Sequence, residues 1–556
     1  MSAKPDRTLT DAEHERIRSY FRTRDKLGRK VAPDYAIAQA ACDRWAADAV
    51  GKSPRRAMLD LTGDAPRWIT FANIASGSRR LGNALRGLGV NFGDRVIVGL
   101  PQSPSAGIAH IGIYRSGAIA VPISIVHGSD AILHRVSDSG ARVGIIDADL
   151  WTRIADVPEI REQCRWIVVH AKTKLAGTLA FDDVLSAASE TLAPAQSGER
   201  IGAETPAMII YTSGTTGNPK GALHAHRVVD AHAAPIGLAH GGFPMAGDLF
   251  WSPADWAWAG GLVDCLLAAW SAGVPIVAFR GRHFEPEVVM RMMAEHGVKN
   301  TFLPPTALRM LRLASDSYKG PLPALRSIMT GGEATSADVL EWAEERLGTI
   351  PNEAYGQTEA SCILGNASHL HPVKAGSPGF SYPGSVVSVI ALDGPRELPV
   401  GEVGEMAVRA DSQAAFLGYW GRPDATAEKV VDGWLRTGDL GKRDADGYFW
   451  FNSRKDDVIS SAGYRIGPNE IESCIETHPA VRVAAVIGIP DPERGQVVKA
   501  VVELRDPSLR KPGLEDELKQ LVRTKLAPYE VPRVVEFVEA IPRTVTGKIQ
   551  RNLLRK

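Results

Sequence analysis

Residues 211 to 221 read Tyr-Thr-Ser-Gly-Thr-Thr-Gly-Asn-Pro-Lys-Gly, directly after the apolar run Ala-Met-Ile-Ile at 207–210. A short apolar run of this kind is typical of a buried strand. The sequence therefore predicts a strand that ends in a loop of small residues, hydroxyls and one lysine. Glycines in such a loop allow positive φ and close backbone approach, and its exposed N–H groups form a concave site for anions. The spacing is not that of a Walker A motif.

This loop carries the groups that a polyphosphate requires: backbone N–H donors, hydroxyl donors and one mobile positive charge. An ordinary glycine-rich turn is the alternative, but eleven residues in this order favour a phosphate-binding loop. The candidate phosphate-binding residues are Thr212, Ser213, Gly214, Thr215, Thr216, Gly217 and Lys220.

Length and composition bound the class of protein. At 556 residues the chain is too long for a single core, so we expect two or more domains. Lys plus Arg equals Asp plus Glu, 64 each, so no overall field favours nucleic acid or an anionic membrane. The five cysteines show no paired spacing for a metal or disulfides. Because we find neither a signal peptide nor a run of about 20 apolar residues, we expect a cytoplasmic protein without integral membrane contact.

Strand-like and helix-like runs alternate from about residue 60 onward, for example the helical pattern at 71–88 and the apolar run at 95–100. This alternation predicts an α/β fold with a large N-terminal domain of parallel sheets covered by helices. Parallel sheets bind ligands at the carboxyl ends of their strands, where the 211–221 loop lies. Around 402–408 the pattern changes to short strands, which predicts a small β subdomain. A small α+β module is expected after about residue 453.

Two further motifs follow predicted strands. Residues 327–333 read Ser-Ile-Met-Thr-Gly-Gly-Glu, and residues 355–359 read Tyr-Gly-Gln-Thr-Glu. A double glycine alone usually marks only a tight turn, and a single glutamate is more often a solvated charge. An aromatic face nevertheless suits a purine, and a carboxylate suits a hard cation shared with phosphate oxygens.

The C-terminal third adds four charged or glycine-bearing motifs. They are Gly-Trp-Leu-Arg-Thr-Gly-Asp at 433–439, Arg-Lys-Asp-Asp at 454–457, Ser-Ser-Ala-Gly-Tyr-Arg-Ile-Gly-Pro at 460–468, and Ile-Pro-Arg-Thr-Val-Thr-Gly-Lys-Ile-Gln-Arg at 541–551. Each alone is explained by a turn, a solvated linker or a basic tail. All of them in this order resemble the adenylate-forming superfamily of acyl-CoA synthetases, peptide-synthetase adenylation domains and firefly luciferase.

The resemblance covers about residues 60–556 and implies a domain plan. An N-terminal AMP-binding domain would span 1–453, a hinge 454–457, and a mobile C-terminal domain 458–556. It implies ATP, Mg²⁺ and CoA as cofactors and co-substrates, and a small-molecule carboxylic acid as the partner. Nucleic acid is not expected, and a homodimer is left open.

The resemblance also implies roles for individual residues around the nucleotide. Gly332 and Glu333 would lie against adenine and Tyr355 would stack on it, with Gly356 and Gln357 in the same binding motif. Thr358 would bond the α-phosphate, and Glu359 and Thr216 would hold Mg²⁺. Asp439 would accept hydrogen bonds from both ribose hydroxyls, a task for an ionised carboxylate.

The remaining implied roles concern the C-terminal motifs. Arg454 would contact ribose or phosphate, although Ser453 stands where the family usually has glycine. Asp456 would be the hinge residue. Ser461 and Gly463 would line the pantetheine channel, Arg465 would contact the nucleotide phosphates, and Lys548 would be the catalytic lysine.

The acid and the acceptor are less constrained. In acetyl-CoA synthetases a tryptophan blocks the acyl pocket where this chain has Gly356, so we expect an acid larger than acetate or propionate. Trp256 is either part of an apolar acyl tunnel or a core aromatic. The motifs are most similar to those of medium-chain acyl-CoA synthetases, and branched, cyclic or aromatic acids stay open.

The family resemblance leaves three alternatives. The enzyme could load a separate carrier protein, it could be a luciferase-like oxygenase, or it could be a non-catalytic nucleotide-binding protein. Lys548, Glu359 and Asp439 together argue against the last.

Overall fold

The computed structural model describes residues 9–47, 53–192, 199–212, 219–279, 281, 284–461, 464–491, 494–543 and 549–555, without the side chains of 460, 464, 465, 495 and 552. The chain forms two compact units. The first comprises Met1–Val386 and Arg409–Gly433, and the second comprises Val387–Val408 and Trp434–Lys556.

The first unit contains a nine-stranded sheet whose middle strands pair in parallel and whose edge strands pair antiparallel. In spatial order the strands are Phe380–Ser381, Ala360–Gly365, Asn352–Gln357, Ser327–Gly331, Asn300–Phe302, Phe250–Trp251, Ile276–Ala278, Arg56–Asp60 and Arg67–Thr70.

A second sheet of the first unit has eight strands, with a parallel centre, one parallel edge and one antiparallel edge. In spatial order they are Gly418–Tyr419, Gly221–Ala225, Pro206–Tyr211, Ile119–Pro122, Arg95–Gly99, Val143–Asp147, Arg165–Val169 and Thr178–Ala180. The central strands are buried along nearly their whole length, as parallel strands between helices must be.

Helices connect these strands. The α-helices of the first unit are Asp11–Leu27, Arg44–Ala47, Phe71–Gly87, Pro104–Arg115, Ser129–Ser139, Ala148–Ile154, Pro158–Arg161, Phe181–Ala187, Arg227–Ala231, Ala233–Ala239, Ala259–Gly261, Ala268–Ser271, Pro286–His296, Pro305–Ser315, Ala337–Leu347 and Pro423–Lys429. Two π-helical segments lie at Gln39–Asp43 and Leu262–Leu267. Helix Phe71–Gly87 shows why the sequence folds locally as predicted: Thr70 and Asn73 form a capping box at its start.

The second unit contains two further sheets. The first pairs Val387–Ile390, Gly404–Arg409, Trp434–Arg443 and Phe449–Arg454, and the second comprises Tyr464–Ile466, Ile459–Ser461, Gly495–Leu504, Val481–Asp491 and Val534–Val538. Its helices are Lys455–Asp457, Pro468–Glu476, Pro507–Leu509, Leu514–Lys525, Pro528–Glu530 and Arg551–Leu554. The short strand Val430–Val431 belongs to the first unit. Helices Pro468–Glu476 and Leu514–Lys525 cover the second sheet with buried isoleucine, leucine and valine side chains.

The predicted α/β class is confirmed, and so are the β subdomain and the α+β module. All five cysteines are buried and unpaired, and burial raises the pKa of Cys42 and of Cys164 to about 12. Among the described residues, no helix is long and apolar enough to span a membrane. The boundary after residue 453 and the hinge at 454–457 stay predictions, since the compact units group the β subdomain with the C-terminal module.

Candidate active site

Two paired strands flank the predicted phosphate loop. Strand Pro206–Tyr211 ends at the loop, and the chain returns antiparallel as Gly221–Ala225. The loop is closed at its base because the N–H of Thr212 donates to the carbonyl of Lys220 at 2.9 Å. Since Pro206–Tyr211 also pairs in parallel with Ile119–Pro122, the loop lies at the carboxyl end of a parallel sheet, as predicted.

The middle of this loop lies outside the described residues. Ser213, Gly214, Thr215, Thr216 and Gly217 therefore keep their phosphate-binding and metal-binding roles as predictions. The two ends of the loop, Thr212 and Lys220, are described.

Two hydrogen bonds to Asp138 fix the strand that leads into the loop. The hydroxyl of Tyr211 donates to Asp138 at 2.8 Å, and Arg422 donates to the other oxygen of Asp138 at 2.6 Å. Burial, together with the bond to Asp138, raises the pKa of Tyr211. A tyrosine held neutral in this way anchors the residue directly before Thr212.

Lys220 and Glu359 both contact the side chain of Tyr419. The Nζ atom of Lys220 lies 5.3 Å from the ring centroid of Tyr419, a distance typical of a cation–π contact. The hydroxyl of Tyr419 donates a short hydrogen bond to Oε1 of Glu359. Tyr419 is a residue that sequence reasoning missed, because its place in the run Leu-Gly-Tyr-Trp at 417–420 gives no local signal for this role.

Glu359 is held at its backbone as well as at its carboxylate. Its carbonyl accepts a hydrogen bond of 2.8 Å from the N–H of Phe416, and the residue is only 7 % exposed. No group of three His, Cys, Asp or Glu among the described residues could by itself hold a metal ion. A lone carboxylate fits Mg²⁺, which proteins bind through one or two carboxylates while phosphates and water complete the shell.

The Tyr-Gly-Gln-Thr-Glu motif forms a tight hairpin with a register shift. Strand Asn352–Gln357 pairs antiparallel with Ala360–Gly365, and the shift falls between Tyr355 and Gln357. A Cβ at Gly356 would lie 2.5 Å from the backbone N of Cys362 and 2.8 Å from the carbonyl O of Ala360. The close approach of the two strands therefore requires glycine at position 356, independently of any role in an acyl pocket.

Cys362 adds strain to this hairpin. Its φ of 49° is positive, a conformation that costs a residue other than glycine of order 1–3 kcal/mol. Gln357 is fixed by a hydrogen bond of 3.1 Å from Lys429. Thr358 and Tyr355 are both half-buried, so a ligand can reach them.

The double-glycine motif lies beside this hairpin. Strand Ser327–Gly331 pairs in parallel with Asn352–Gln357, and Gly331 is in register with Ala354. Gly332 has a φ of +96°, a conformation that only glycine adopts without strain. Glu333 forms an ion pair of 2.8 Å with Arg309. Gly332, Glu333 and Tyr355 are thus brought together at the ends of two neighbouring strands.

The tryptophans of the 251–261 segment differ in burial. Trp256 is 2 % exposed, which is the burial of a core side chain, whereas Trp258 is half-buried and packs edge-on against His127. The acyl-pocket role of Trp256 stays a prediction, and its burial favours the core interpretation. Phe302 is a residue that sequence reasoning missed: a Cβ at Gly260 or Gly331 would lie 3.6 or 3.8 Å from its ring.

In the second unit, Asp439 and Arg454 lie opposite each other on paired strands. The Nε atom of Arg454 is 2.9 Å from Oδ1 of Asp439, so the structure brings these two predicted ligands together. Asp439 is 4 % exposed. The ribose contacts predicted for both residues stay predictions.

A third carboxylate organises the same segment and was missed by sequence reasoning. Glu405 is 2 % exposed, accepts a hydrogen bond of 2.9 Å from the N–H of Gly438, and forms an ion pair of 2.9 Å with Arg436. The Glu-Val-Gly-Glu run at 402–405 marks the β subdomain, but it does not indicate that one glutamate turns inward.

Lys548, Gly463 and the side chain of Arg465 lie outside the described residues. The residues that follow Lys548 are anchored: Arg551 forms ion pairs with Glu472 at 2.6 Å and Asp457 at 3.4 Å. Asp457 adjoins the predicted hinge residue Asp456. Ser461 is buried and ends the strand Ile459–Ser461.

Comparison with protein-family models gives two matches. Residues 45–420 match the model described as AMP-binding enzyme, and residues 470–548 match the AMP-binding enzyme C-terminal domain.

Among curated proteins, the chain is 32 % identical to the human acyl-coenzyme A synthetase ACSM4, mitochondrial, over 96 % of this chain and 92 % of that protein. It is 33 % identical to human ACSM2B, mitochondrial, over 95 % of this chain and 91 % of that protein. Among solved structures, the anthranilate CoA ligase AuaEII in complex with anthranoyl-AMP matches with a TM-score of 0.85 and 28 % identity, covering 94 % of this chain and 97 % of that one.

Proposed function

The chain belongs to the family of AMP-binding enzymes, and on that basis we propose that it joins a medium-chain, branched or aromatic carboxylic acid to coenzyme A. It is an acid–thiol ligase that uses ATP and CoA and works through an acyl adenylate. The acid class, the individual site residues and Mg²⁺ are the parts that we propose.

One observation supports this assignment of the site more strongly than the other observations do. Lys220, at the end of the phosphate loop, and Glu359, at the end of the Tyr-Gly-Gln-Thr-Glu hairpin, both contact Tyr419. A cation and a carboxylate from two different sheets are thereby held beside one loop of N–H and hydroxyl donors. A nucleoside triphosphate with its metal ion requires this combination.

The reaction has two steps. A carboxylate oxygen of the acid attacks the α-phosphorus of ATP, pyrophosphate leaves, and a mixed anhydride forms. A thiol then attacks the acyl carbon, a thioester forms, and AMP leaves. Thr212 and Lys220 would bind the β- and γ-phosphates in the first step, and Lys548 would neutralise the charge that builds up at the α-phosphate.

Mg²⁺ would be held by Glu359 and Thr216 together with the phosphate oxygens. When bound, it would neutralise charge on the β- and γ-phosphates. Tyr419 would fix the orientation of the Glu359 carboxylate, and Gln357 and Thr358 would present polar groups to the nucleotide. Asp456 would be the hinge about which the C-terminal residues 458–556 rotate between the two steps.

The preference for an acid larger than acetate follows from three small residues. A Cβ at Gly260 or Gly331 would contact the half-buried Phe302 ring, and Gly356 stands where acetyl-CoA synthetases have tryptophan. An aromatic ring beside two glycines suits an apolar chain or a flat ring. The pocket formed by these residues would therefore accept a C4–C8 or aromatic acid.

Pyrophosphate release with MgATP and CoA across acetate, butyrate, hexanoate, octanoate, isobutyrate, benzoate and a long-chain acid tests this proposal. We expect release that depends on a C4–C8 or aromatic acid and becomes multiple-turnover only with CoA. A burst that CoA cannot extend would point instead to a carrier protein as acceptor. Acetate as the best substrate would show that the interpretation of Gly356 is wrong.

A cytoplasmic location is part of the proposal, although the two curated relatives are named mitochondrial. Fractionation of cells that express the natural protein tests the location. Size-exclusion chromatography of the purified chain tests whether it forms a homodimer.

A further inference from the structure

A buried acid–base pair lies behind the hairpin that carries Thr358 and Glu359. His232 is fully buried between the helices Arg227–Ala231 and Ala233–Ala239, and Asp264 is 4 % exposed within the π-helical segment Leu262–Leu267. Nδ1 of His232 lies 3.6 Å from Oδ1 of Asp264. Neither residue belongs to the motifs that the proposed function uses.

Both side chains hold the same residue of the hairpin. Nε2 of His232 lies 2.9 Å from the backbone carbonyl of Ser361, to which it donates because a carbonyl can only accept. The Ser361 hydroxyl donates to Oδ2 of Asp264 at 2.9 Å. The pair thus fixes the backbone and the side chain of Ser361, two residues after Glu359.

Three energetically unfavourable features occur where Asp264 lies against residues 361 and 362. Asp264 lies in a π-helical segment, a rare form that is frequent at functional sites. Its carboxyl is buried, and burial raises its pKa. Cys362 has a positive φ, and its backbone N is the atom that a Cβ at Gly356 would meet at 2.5 Å. Strain of this kind persists only where the surrounding structure enforces it.

We propose that Asp264 and His232 are positioning residues for adenylation: they clamp Ser361, and so hold the bulged hairpin in the shape that presents Thr358 and Glu359 to the nucleotide. This inference rests on the proposed function of that hairpin. The clamp acts at a distance from the substrate, through the backbone of residues 358–362.

Two other roles for the cluster do not fit the contacts. A catalytic triad would need the serine hydroxyl to donate to the histidine, but the Ser361 hydroxyl donates to Asp264, and His232 contacts the Ser361 carbonyl. A metal site would need a converging ligand set, and no group of three His, Cys, Asp or Glu in the described part of the chain could hold an ion.

Ser361→Ala tests the clamp with the smallest change, because it removes only the hydroxyl that Asp264 accepts. The matched control is Ser388→Ala, which removes a serine-to-carboxylate hydrogen bond of 2.6 Å to Glu397 in the second unit. The two half-reactions are measured separately in the full chain. They are pyrophosphate release in a single turnover with MgATP and acid, and thioester formation from preformed acyl adenylate and CoA.

We expect Ser361→Ala to slow adenylation by about 10- to 100-fold, since small displacements of positioning groups have effects of this size. Its KM for ATP should rise, thioester formation from preformed adenylate should change by less than about twofold, and Ser361→Thr should restore adenylation. Ser388→Ala should leave both half-reactions unchanged.

An unchanged adenylation rate in Ser361→Ala would overturn the clamp, and so would an equal loss of both half-reactions that Ser361→Thr fails to restore. If Ser361→Ala does not fold, Asp264→Asn, which keeps the volume, is measured in the same way and has the same expected split. Failure of the proposed function is distinguishable, because then the unsubstituted chain releases no pyrophosphate with any acid.

Discussion

The hydroxyl of Tyr419 donates a hydrogen bond to Oε1 of Glu359. Tyr419 lies on the short strand Gly418–Tyr419 at the edge of one sheet, and Glu359 lies at the turn of a hairpin that belongs to the other. The contact joins the two sheets of the first unit at the predicted metal site. It also fixes the carboxylate in one orientation before a ligand binds.

Tyr419→Phe should slow adenylation by about tenfold or more. The ring that Lys220 contacts is kept, but the carboxylate loses a hydrogen bond of the charged class, which contributes ~1.5–3 kcal/mol. Single-turnover pyrophosphate release measures the effect. Tyr20→Phe is the control, since the Tyr20 hydroxyl donates to the Ser381 carbonyl at 3.1 Å away from the nucleotide motifs; equal effects of the two substitutions would contradict the role of Tyr419.

Lys548→Ala should reduce adenylation by at least about 10²-fold, the usual scale for the loss of one transition-state charge contact. Thioester formation from preformed acyl adenylate should be much less affected, because in the proposed scheme the C-terminal residues that carry Lys548 rotate away from the site before that step. Stopped-flow measurement of each half-reaction tests the difference. Equal loss of both steps would rule out the assigned role.

Gly356→Ala should slow adenylation with every acid. The reason is that the added Cβ would meet the backbone of the opposite hairpin strand at 2.5–2.8 Å, so the hairpin has to move. Gly63→Ala is a matched control, because a Cβ at Gly63 meets no atom within 4 Å. Equal adenylation rates in Gly356→Ala and Gly63→Ala would contradict the requirement for glycine at position 356.

The free energy of unfolding should depend on pH because of the buried carboxyl of Glu353. Burial raises its pKa to about 7, despite the hydrogen bond of 2.8 Å from the N–H of Thr335. The pKa of this carboxyl in the folded state lies above its value near 4.5 in the unfolded chain. Its contribution to the free energy of unfolding is therefore fully present below pH 4.5 and is lost as the pH rises through about 7.

Glu353→Gln removes the ionisable group and keeps the shape of the side chain. At pH 8 the free energy of unfolding of the variant should therefore exceed that of the unsubstituted chain by about 1–3 kcal/mol. The gain should vanish near pH 4.5. Urea unfolding of both chains at pH 5, 6.5 and 8 measures it. A difference that does not vary with pH would contradict the assignment to Glu353.

Arg551→Ala should destabilise the C-terminal module by about 3 kcal/mol, because it leaves the buried Glu472 carboxylate without its ionic partner. Burial already raises the pKa of Glu472, and Arg551 opposes that shift. Differential scanning calorimetry should show the loss. Arg18→Ala, which breaks an exposed ion pair with Glu15, should have little effect; similar effects of the two changes would contradict the prediction.

Local sequence patterns were sufficient to predict the helices and strands and to find most of the binding motifs. The strand before the phosphate loop and the helix Phe71–Gly87 lie within a residue or two of their predicted limits. Hydrophobic periodicity and capping residues act over one or two turns, so they can be read from neighbours in the chain. The order of the glycine-bearing motifs likewise indicated the family that the comparisons show.

The supporting residues could not be predicted in this way. Tyr419 is 60 positions from Glu359, and Asp264 is 97 positions from Ser361, so no local pattern links the members of either pair. The sequence also left two interpretations of Trp256, and only its burial distinguishes Trp256 from its half-buried neighbour Trp258.

The sequence by itself determined the fold class, the family and the positions of the nucleotide motifs, because each depends on residues that are adjacent in the chain. The tertiary structure decided which side chains orient those motifs. It did so because hydrogen bonds and ion pairs depend on distances of about 3 Å, and only packing of the sheets and helices brings residues this close when they are far apart in sequence.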